Sequence, residues 1–185
     1  MQRQTATIVG IDPGSESLGV SQLTFSIVDG SLISINAITY VGSKMERPEY
    51  LIEIHGERLT RIKAHEDNLY YVFLQTLPYM VACESPFINM RRPQAYGALT
   101  EVVSAVRNAL YRFDPYMQLY MVEPSLVKRA VDAKGNADKD AVRLALSKNE
   151  KIMSVLACDL SILDEHSIDA IAVAYAKYLS IVGPV

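Results

Sequence analysis

The first forty residues show the apolar pattern of three β-strands. Residues 7–11 form a short β-branched run that ends in Asp-Pro-Gly, which is typical of a buried strand entering a turn. Two further β-rich runs, 19–28 and 32–41, are separated by Asp29-Gly30. An Asp-Gly pair between such runs is a strong hairpin signal. The pattern therefore predicts an antiparallel meander of three strands.

After the meander, helical and strand-like patterns alternate. Apolar residues recur at helical spacing over residues 50–77, and Gly56 is the candidate break in this long helix. The other predicted elements are strands at 79–84 and 118–122 and helices at 94–113, 124–131, 139–147 and 168–179. Strands separated by helices pair in parallel, whereas the first hairpin is antiparallel. The predicted fold is α/β, a five-stranded mixed sheet flanked by helices on both faces, and this layout resembles the ribonuclease H-like fold.

The composition is that of a globular protein. The chain has 185 residues, of which 50% are apolar and 21% are charged, so we expect one domain spanning residues 1–185. Cys83 and Cys158 lie in apolar runs without a CxxC pair, which argues against a zinc site or a disulfide framework. No signal-peptide pattern opens the chain, and no apolar stretch approaches the ~18 residues of a membrane span. We therefore expect a soluble, intracellular (cytoplasmic) protein with no membrane partner.

The net charge of −3 argues mildly against a nucleic-acid-binding protein, because such proteins are usually basic. The charge is unevenly distributed, since positive residues outnumber negative ones only in residues 85–150. A local DNA-binding face and an ordinary scatter of surface charge both fit this distribution.

Three acidic residues lie where a core should be apolar. Asp12 follows the first predicted strand, Glu84 ends the fourth, and Asp169 lies at the start of the last helix. Buried acids are costly unless they are paired or bound to a metal, and two close carboxylates repel unless a cation lies between them. Mg²⁺ prefers such oxygen ligands. Taken singly, Asp12 could be a turn residue and Asp169 an acid that complements the helix dipole.

His166 precedes Asp169 by three residues and therefore shares its helix face. An imidazole there could complete a second metal position or act as a general acid or base. Glu165 competes for the same place, because it lies four residues before Asp169. Two cations held by these groups would suit in-line phosphodiester hydrolysis. His55 and His65 lie in the polar part of the long helix, and we expect both to be solvated.

Three blocks of sequence containing these acids resemble motifs of the RuvC family of Holliday junction resolvases. Ile11-Asp12-Pro13-Gly14 with Gly19-Val20 resembles the first motif, and the segment ACESPF at 82–87 resembles the second. His166-x-x-Asp169-Ala170-x-Ala172 resembles the closing motif, whose first position is often aspartate although histidine also occurs. The resemblance implies that the catalytic and metal-binding residues are Asp12, Glu84, His166 and Asp169. It also implies two Mg²⁺ ions per site, with Mn²⁺ as a possible substitute.

A fourth block resembles the family's DNA-contacting stretch. It consists of EPSLVK at 123–128 followed by KGNADK at 134–139, and family lysines here contact DNA phosphates. Phe87, three residues after Glu84, matches an aromatic residue that helps to open the junction centre. Two arginines in the loop that follows are further candidates for gripping a junction arm. The predicted DNA-binding residues are Phe87, Arg91, Arg92, Lys128, Lys134 and Lys139.

The resemblance implies a homodimer that cuts opposed strands of a four-way DNA junction in recombination and repair. The predicted helix 94–113 is the candidate dimer surface, although its apolar stripe also fits a core position. The main alternative is a nuclease of the same fold that acts on flaps, forks or RNA–DNA hybrids. An actin-like ATPase or sugar kinase, suggested by Asp12-Pro13-Gly14, would need two such domains. A catalytically inactive DNA-binding protein is disfavoured by the intact acids.

Overall fold

The computed structural model describes residues 4–87, 93–135 and 139–183, with the backbone alone at 93–95 and 139. The strands are β1 (Thr5–Asp12), β2 (Ser17–Ser26), β3 (Leu32–Val41), β4 (Met80–Glu84) and β5 (Leu119–Val122). The helices are α1 (Glu49–His55), α2 (Glu57–Thr76), α3 (Pro93–Phe113), α4 (Pro124–Ala130), α5 (Lys139–Lys148), α6 (Glu150–Met153) and α7 (Glu165–Val182).

The five strands form one mixed sheet in the order β3-β2-β1-β4-β5. The first three strands pair antiparallel, and the turn between β2 and β3 contains Gly30 at a φ of 76°, a conformation that glycine adopts readily. The β1–β4 and β4–β5 pairs are parallel. The predicted mixed sheet is therefore confirmed, with its meander on one side and its parallel strands on the other.

Helices cover both faces of this sheet. Because side chains alternate along a strand, Ile8 and Val9 of β1 enter different cores. The core on one face contains residues of α4, α5 and α7, including Val127, Leu146 and Ile171. The core on the other face contains residues of α2 and α3, including Leu69, Phe73, Val102 and Val106. The apolar stripe of α3 therefore packs in the core, as the alternative interpretation of that stripe expected.

Helix α7 lies directly on β1 and β2. A Cβ atom added to Gly10 would be 2.5 Å from the carbonyl oxygen of Ala170, and one added to Gly19 would be 2.1 Å from that of His166. The buried hydroxyl of Ser21 donates a hydrogen bond of 2.7 Å to the same Ala170 oxygen. Glycine at these two positions thus lets the backbone of α7 approach both β1, which ends in Asp12, and β2, where Gly19 pairs with Asp12.

The long helix is divided at Gly56, the predicted break, which has a φ of 80°. Other features depart from the sequence-based prediction. The prediction that His65 is solvated was wrong, because its side chain is fully buried and its Nε2 lies 3.3 Å from the carbonyl oxygen of Ser15. Between α5 and α7, helix α6 and a bridge from Ile35 to Leu156 were not predicted. In the described part of the chain, no helix combines the length and the apolar character that crossing a membrane requires.

Candidate active site

Asp12 and Glu84 lie at the ends of adjacent parallel strands. The register of β1 and β4 pairs Ile11 with Cys83, so the two acids occupy the next position on each strand. Asp12 is buried and Glu84 is half-buried. Burial raises the pKa of the Cys83 thiol, and the charges of Asp12 and Glu84 raise it further. Both carboxylates are therefore close enough to act on the same buried sulfur.

His166 joins the first strand to the last helix. Its Nδ1 lies 2.8 Å from Oδ2 of Asp12, and its Nε2 lies 3.5 Å from Oε1 of Glu165. The imidazole is therefore flanked by two carboxylates, of which Asp12 is the nearer and the more buried. This contact holds the ring beside the acid of β1, at a distance that allows proton transfer between the two groups.

Hydrogen bonds from β3 fix the first turn of α7. Asp164 is the N-cap, and its Oδ1 accepts from the backbone N–H of Ser167 at 2.9 Å and from the hydroxyl of Thr39 at 2.5 Å. Partial burial by itself raises the pKa of Asp164, but the hydrogen bonds from Thr39 and Ser167 outweigh it and hold the pKa below its ordinary value. The carboxylate form of the cap is therefore favoured.

An open groove of about 880 Å³ lies beside Glu84 and Asp169. Glu84, Phe87, Lys128 and Asp169 all line it. Phe87 is 55% exposed, so its ring is available to a ligand and is not folded into the core. The structure thus places two predicted catalytic acids and two predicted DNA-contacting residues around one concave surface.

Other predicted DNA-binding residues are not brought to this surface. Lys134 is exposed in the turn beside Gly135 but does not line the groove. Lys139 begins α5, and its side chain lies outside the described part of the chain. Arg91 and Arg92 also lie outside the described residues.

The donor types fit a hard divalent cation, because three carboxylates and an imidazole are carried by β1, β4 and the start of α7. Within residues 4–87, 93–135 and 139–183, however, no three His, Cys, Asp or Glu side chains are grouped closely enough to hold a metal ion. The chemistry of the donors therefore supports metal binding, whereas their present arrangement is not that of a formed metal centre.

Two residues near the site were assigned no role from the sequence. Glu123 follows β5 and lines the groove, one strand further along the edge that carries Glu84. The sequence signal for Glu123 was its position directly after a predicted strand. Thr39 contacts Asp164 across 125 positions of sequence. No local pattern connects these two residues, so only the fold shows the contact.

No family model matches the sequence, and no curated protein matches it. Solved structures do match. Thermus thermophilus RuvC in complex with a Holliday junction substrate aligns over 96% of this chain and 96% of its own, with a TM-score of 0.65 and 20% identity. The chain has the fold of the RuvC-type resolvases. The predicted ribonuclease H-like fold is thereby confirmed.

Two further resolvases share this fold. The yeast mitochondrial Holliday junction resolvase Ydc2 aligns over 94% of this chain and 78% of its own, with a TM-score of 0.65 and 13% identity. Fowlpox virus resolvase in complex with Holliday junction DNA aligns over 95% and 98%, with a TM-score of 0.54 and 10% identity. At these identities the likeness shows the fold, and the roles of individual residues stay predictions.

Proposed function

We propose that this chain is a metal-dependent endonuclease that resolves four-way DNA junctions by paired, symmetric nicks. The observation that carries the proposal is the placement of Asp12 and Glu84 on adjacent strand ends, with His166 held against Asp12. Asp169 lies three residues after His166 on α7 and lines the groove together with Glu84. The proposal is further supported by the similar structures, two of which contain Holliday junction DNA.

Asp12, Glu84, His166 and Asp169 would hold Mg²⁺, with Mn²⁺ as a substitute. When bound, the metal supplies an activated water and stabilises the leaving oxygen. Asp12 orients the imidazole of His166 through the 2.8 Å contact at Nδ1. The imidazole can hold a proton at that atom or pass one on beside the scissile phosphate.

The groove supplies two different contacts for branched DNA. Lys128 offers a positive charge that neutralises a backbone phosphate beside the acids. The exposed ring of Phe87 offers a surface on which an unpaired base can stack. A duplex lacks unpaired bases, whereas the centre of a junction can present them, so this pair of contacts favours branched substrates.

Paired cuts in a junction with two-fold symmetry require two active sites, which we propose are supplied by a homodimer. Because the apolar stripe of α3 packs in the core, only the outer face of that helix is available to a partner. Tyr111 on that face is 69% exposed. The oligomeric state in solution, measured by analytical ultracentrifugation with and without junction DNA, tests this part of the proposal.

The test of the activity is cleavage of a labelled four-way junction beside a duplex, a flap, a fork and an RNA–DNA hybrid, with and without Mg²⁺. We expect paired nicks in the junction that require the metal and are lost in Asp12→Asn. Asp114→Asn is the matched control, because this aspartate follows α3 and its Oδ1 accepts from the Tyr116 N–H, which asparagine can reproduce. Preferred cutting of flaps, forks or hybrids would replace the assignment to junctions. No cutting of any substrate would refute the proposed nuclease activity.

A further inference from the structure

Helix α7 spans several strands of the sheet near its N-terminus. Its N-cap, Asp164, contacts Thr39 of β3, and the backbone at His166 lies on Gly19 of β2. Asp169, one turn later, lines the groove together with Glu84 of β4. A rotation or shift of the first turn would therefore move both candidate site residues of α7 relative to Asp12 and Glu84.

Thr39 contacts this turn at two residues that bracket His166. Its hydroxyl donates to Oδ1 of Asp164 at 2.5 Å and lies 2.8 Å from the hydroxyl oxygen of Ser167. A hydroxyl has one proton, and donation to Asp164 uses it. The oxygen of Thr39 can then accept the proton of Ser167, whose side chain is buried. One threonine thus satisfies two groups of the first turn.

The local cap does not need Thr39. Asp164 already accepts from the Ser167 N–H within the helix, and this interaction alone is a complete N-cap. The bonds to Thr39 add something that the cap cannot provide, because they connect the first turn to a strand. They are a side-chain link between the first turn of α7 and β3, added to the close backbone packing at Gly10 and Gly19.

We propose that Thr39 is a positioning residue of this nuclease, which holds the first turn of α7 so that His166 meets Asp12 and Asp169 faces Glu84. The inference rests on the proposed function. It requires no contact between Thr39 and the substrate. Its physical basis is that catalysis depends steeply on geometry, and a displacement of about 1 Å can cost roughly a hundredfold in rate.

The experiment compares Thr39→Val with Thr39→Ser in the full chain. Valine keeps the shape and suits a strand but removes the hydroxyl, whereas serine keeps the hydroxyl. We expect Thr39→Val to reduce the single-turnover cleavage rate of a junction by roughly tenfold to a hundredfold. The Kd for the junction without divalent cation should change little in both variants. Thr39→Ser should cut at nearly the wild-type rate.

A second readout does not depend on cleavage. The ¹⁵N resonances of the His166 imidazole report its contact with Asp12, and we expect them to shift in Thr39→Val and to be preserved in Thr39→Ser. Wild-type rate and resonances in Thr39→Val would overturn the inference, as would equal losses in both variants. If the wild type cuts no substrate, the proposed function fails, and the resonances still decide whether Thr39 positions His166. Thr39→Ala serves as the second hydroxyl-free variant if Thr39→Val does not fold.

Discussion

Replacing Gly19 by alanine should disturb the candidate active site by displacing the helix that carries His166. The added Cβ would lie 2.1 Å from the carbonyl oxygen of His166 and 3.2 Å from the Cβ of Asp12. Ordinary van der Waals contact begins near 3.4 Å, and the closest obstacle is backbone and not a flexible side chain. Helix α7 and strand β2 must therefore separate by about 1 Å or more.

The size of the effect follows from this displacement. Overpacking of a well-packed interior costs about 1–3 kcal/mol, which corresponds to a loss of roughly 2–12 °C in Tm for a domain of this size. A shift of about 1 Å between His166 and Asp12 is expected to reduce the cleavage rate by roughly a hundredfold. Both losses share one cause, because the same close contact supports the fold and sets the site.

The assays are thermal unfolding and single-turnover cleavage of a labelled junction, with Gly97→Ala as the control. A Cβ on Gly97 would meet nothing within 4 Å, so the same chemical change in α3 should stabilise the helix by about 0.5–1 kcal/mol or be neutral. Wild-type stability and wild-type cleavage in Gly19→Ala would refute the argument that backbone proximity holds α7 in place.

Three further substitutions test other parts of the structure. Burial lowers the pKa of His65, so stability should fall as pH drops below about 6.5, where the unfolded chain takes up the proton first. In urea unfolding, His65→Leu should reduce the slope of the unfolding free energy against pH by up to about 1.4 kcal/mol per pH unit. An unchanged slope would contradict this prediction. Arg143→Met removes the guanidinium donors to the carbonyl oxygens of Leu160 and Leu163, at 2.9 and 2.6 Å. The unfolding free energy should fall by about 1–3 kcal/mol in the same assay. Wild-type stability would show that these hydrogen bonds make no net contribution. Lys128→Ala should weaken junction binding and reduce the magnitude of the negative slope of log K against log salt concentration by about 1. An unaltered slope would exclude a phosphate contact.

The strands and the direction of their pairing, antiparallel in the meander and parallel afterwards, were predictable because their signals are local. Alternating apolar runs, the Asp29-Gly30 turn and the alternation of helix with strand are each visible within a few residues of sequence. The placement of Asp12 and Glu84 at one edge of the sheet follows from their positions at the ends of parallel strands, and the pairing of β1 with β4 makes them neighbours.

The features that sequence reasoning missed depend on distant contacts. His65 lies among charged neighbours on α2, and it is buried by its contact with the turn after β1, fifty positions away. The contact of Thr39 with Asp164 likewise exists only once β3 and α7 are packed together. Neither contact leaves a periodic pattern, because each involves single side chains meeting across the fold.

The sheet separates two cores, and this separation has a consequence for how such a protein can change over evolutionary time. The candidate site residues that the structure describes lie on the strand ends and on the side of α4 and α7, and the α2–α3 side contributes none of them. Substitutions on the outer surface of α2 and α3 therefore leave the candidate site residues in place. Association with a second copy or with other partners can change on one side of the sheet while those residues are inherited unchanged on the other.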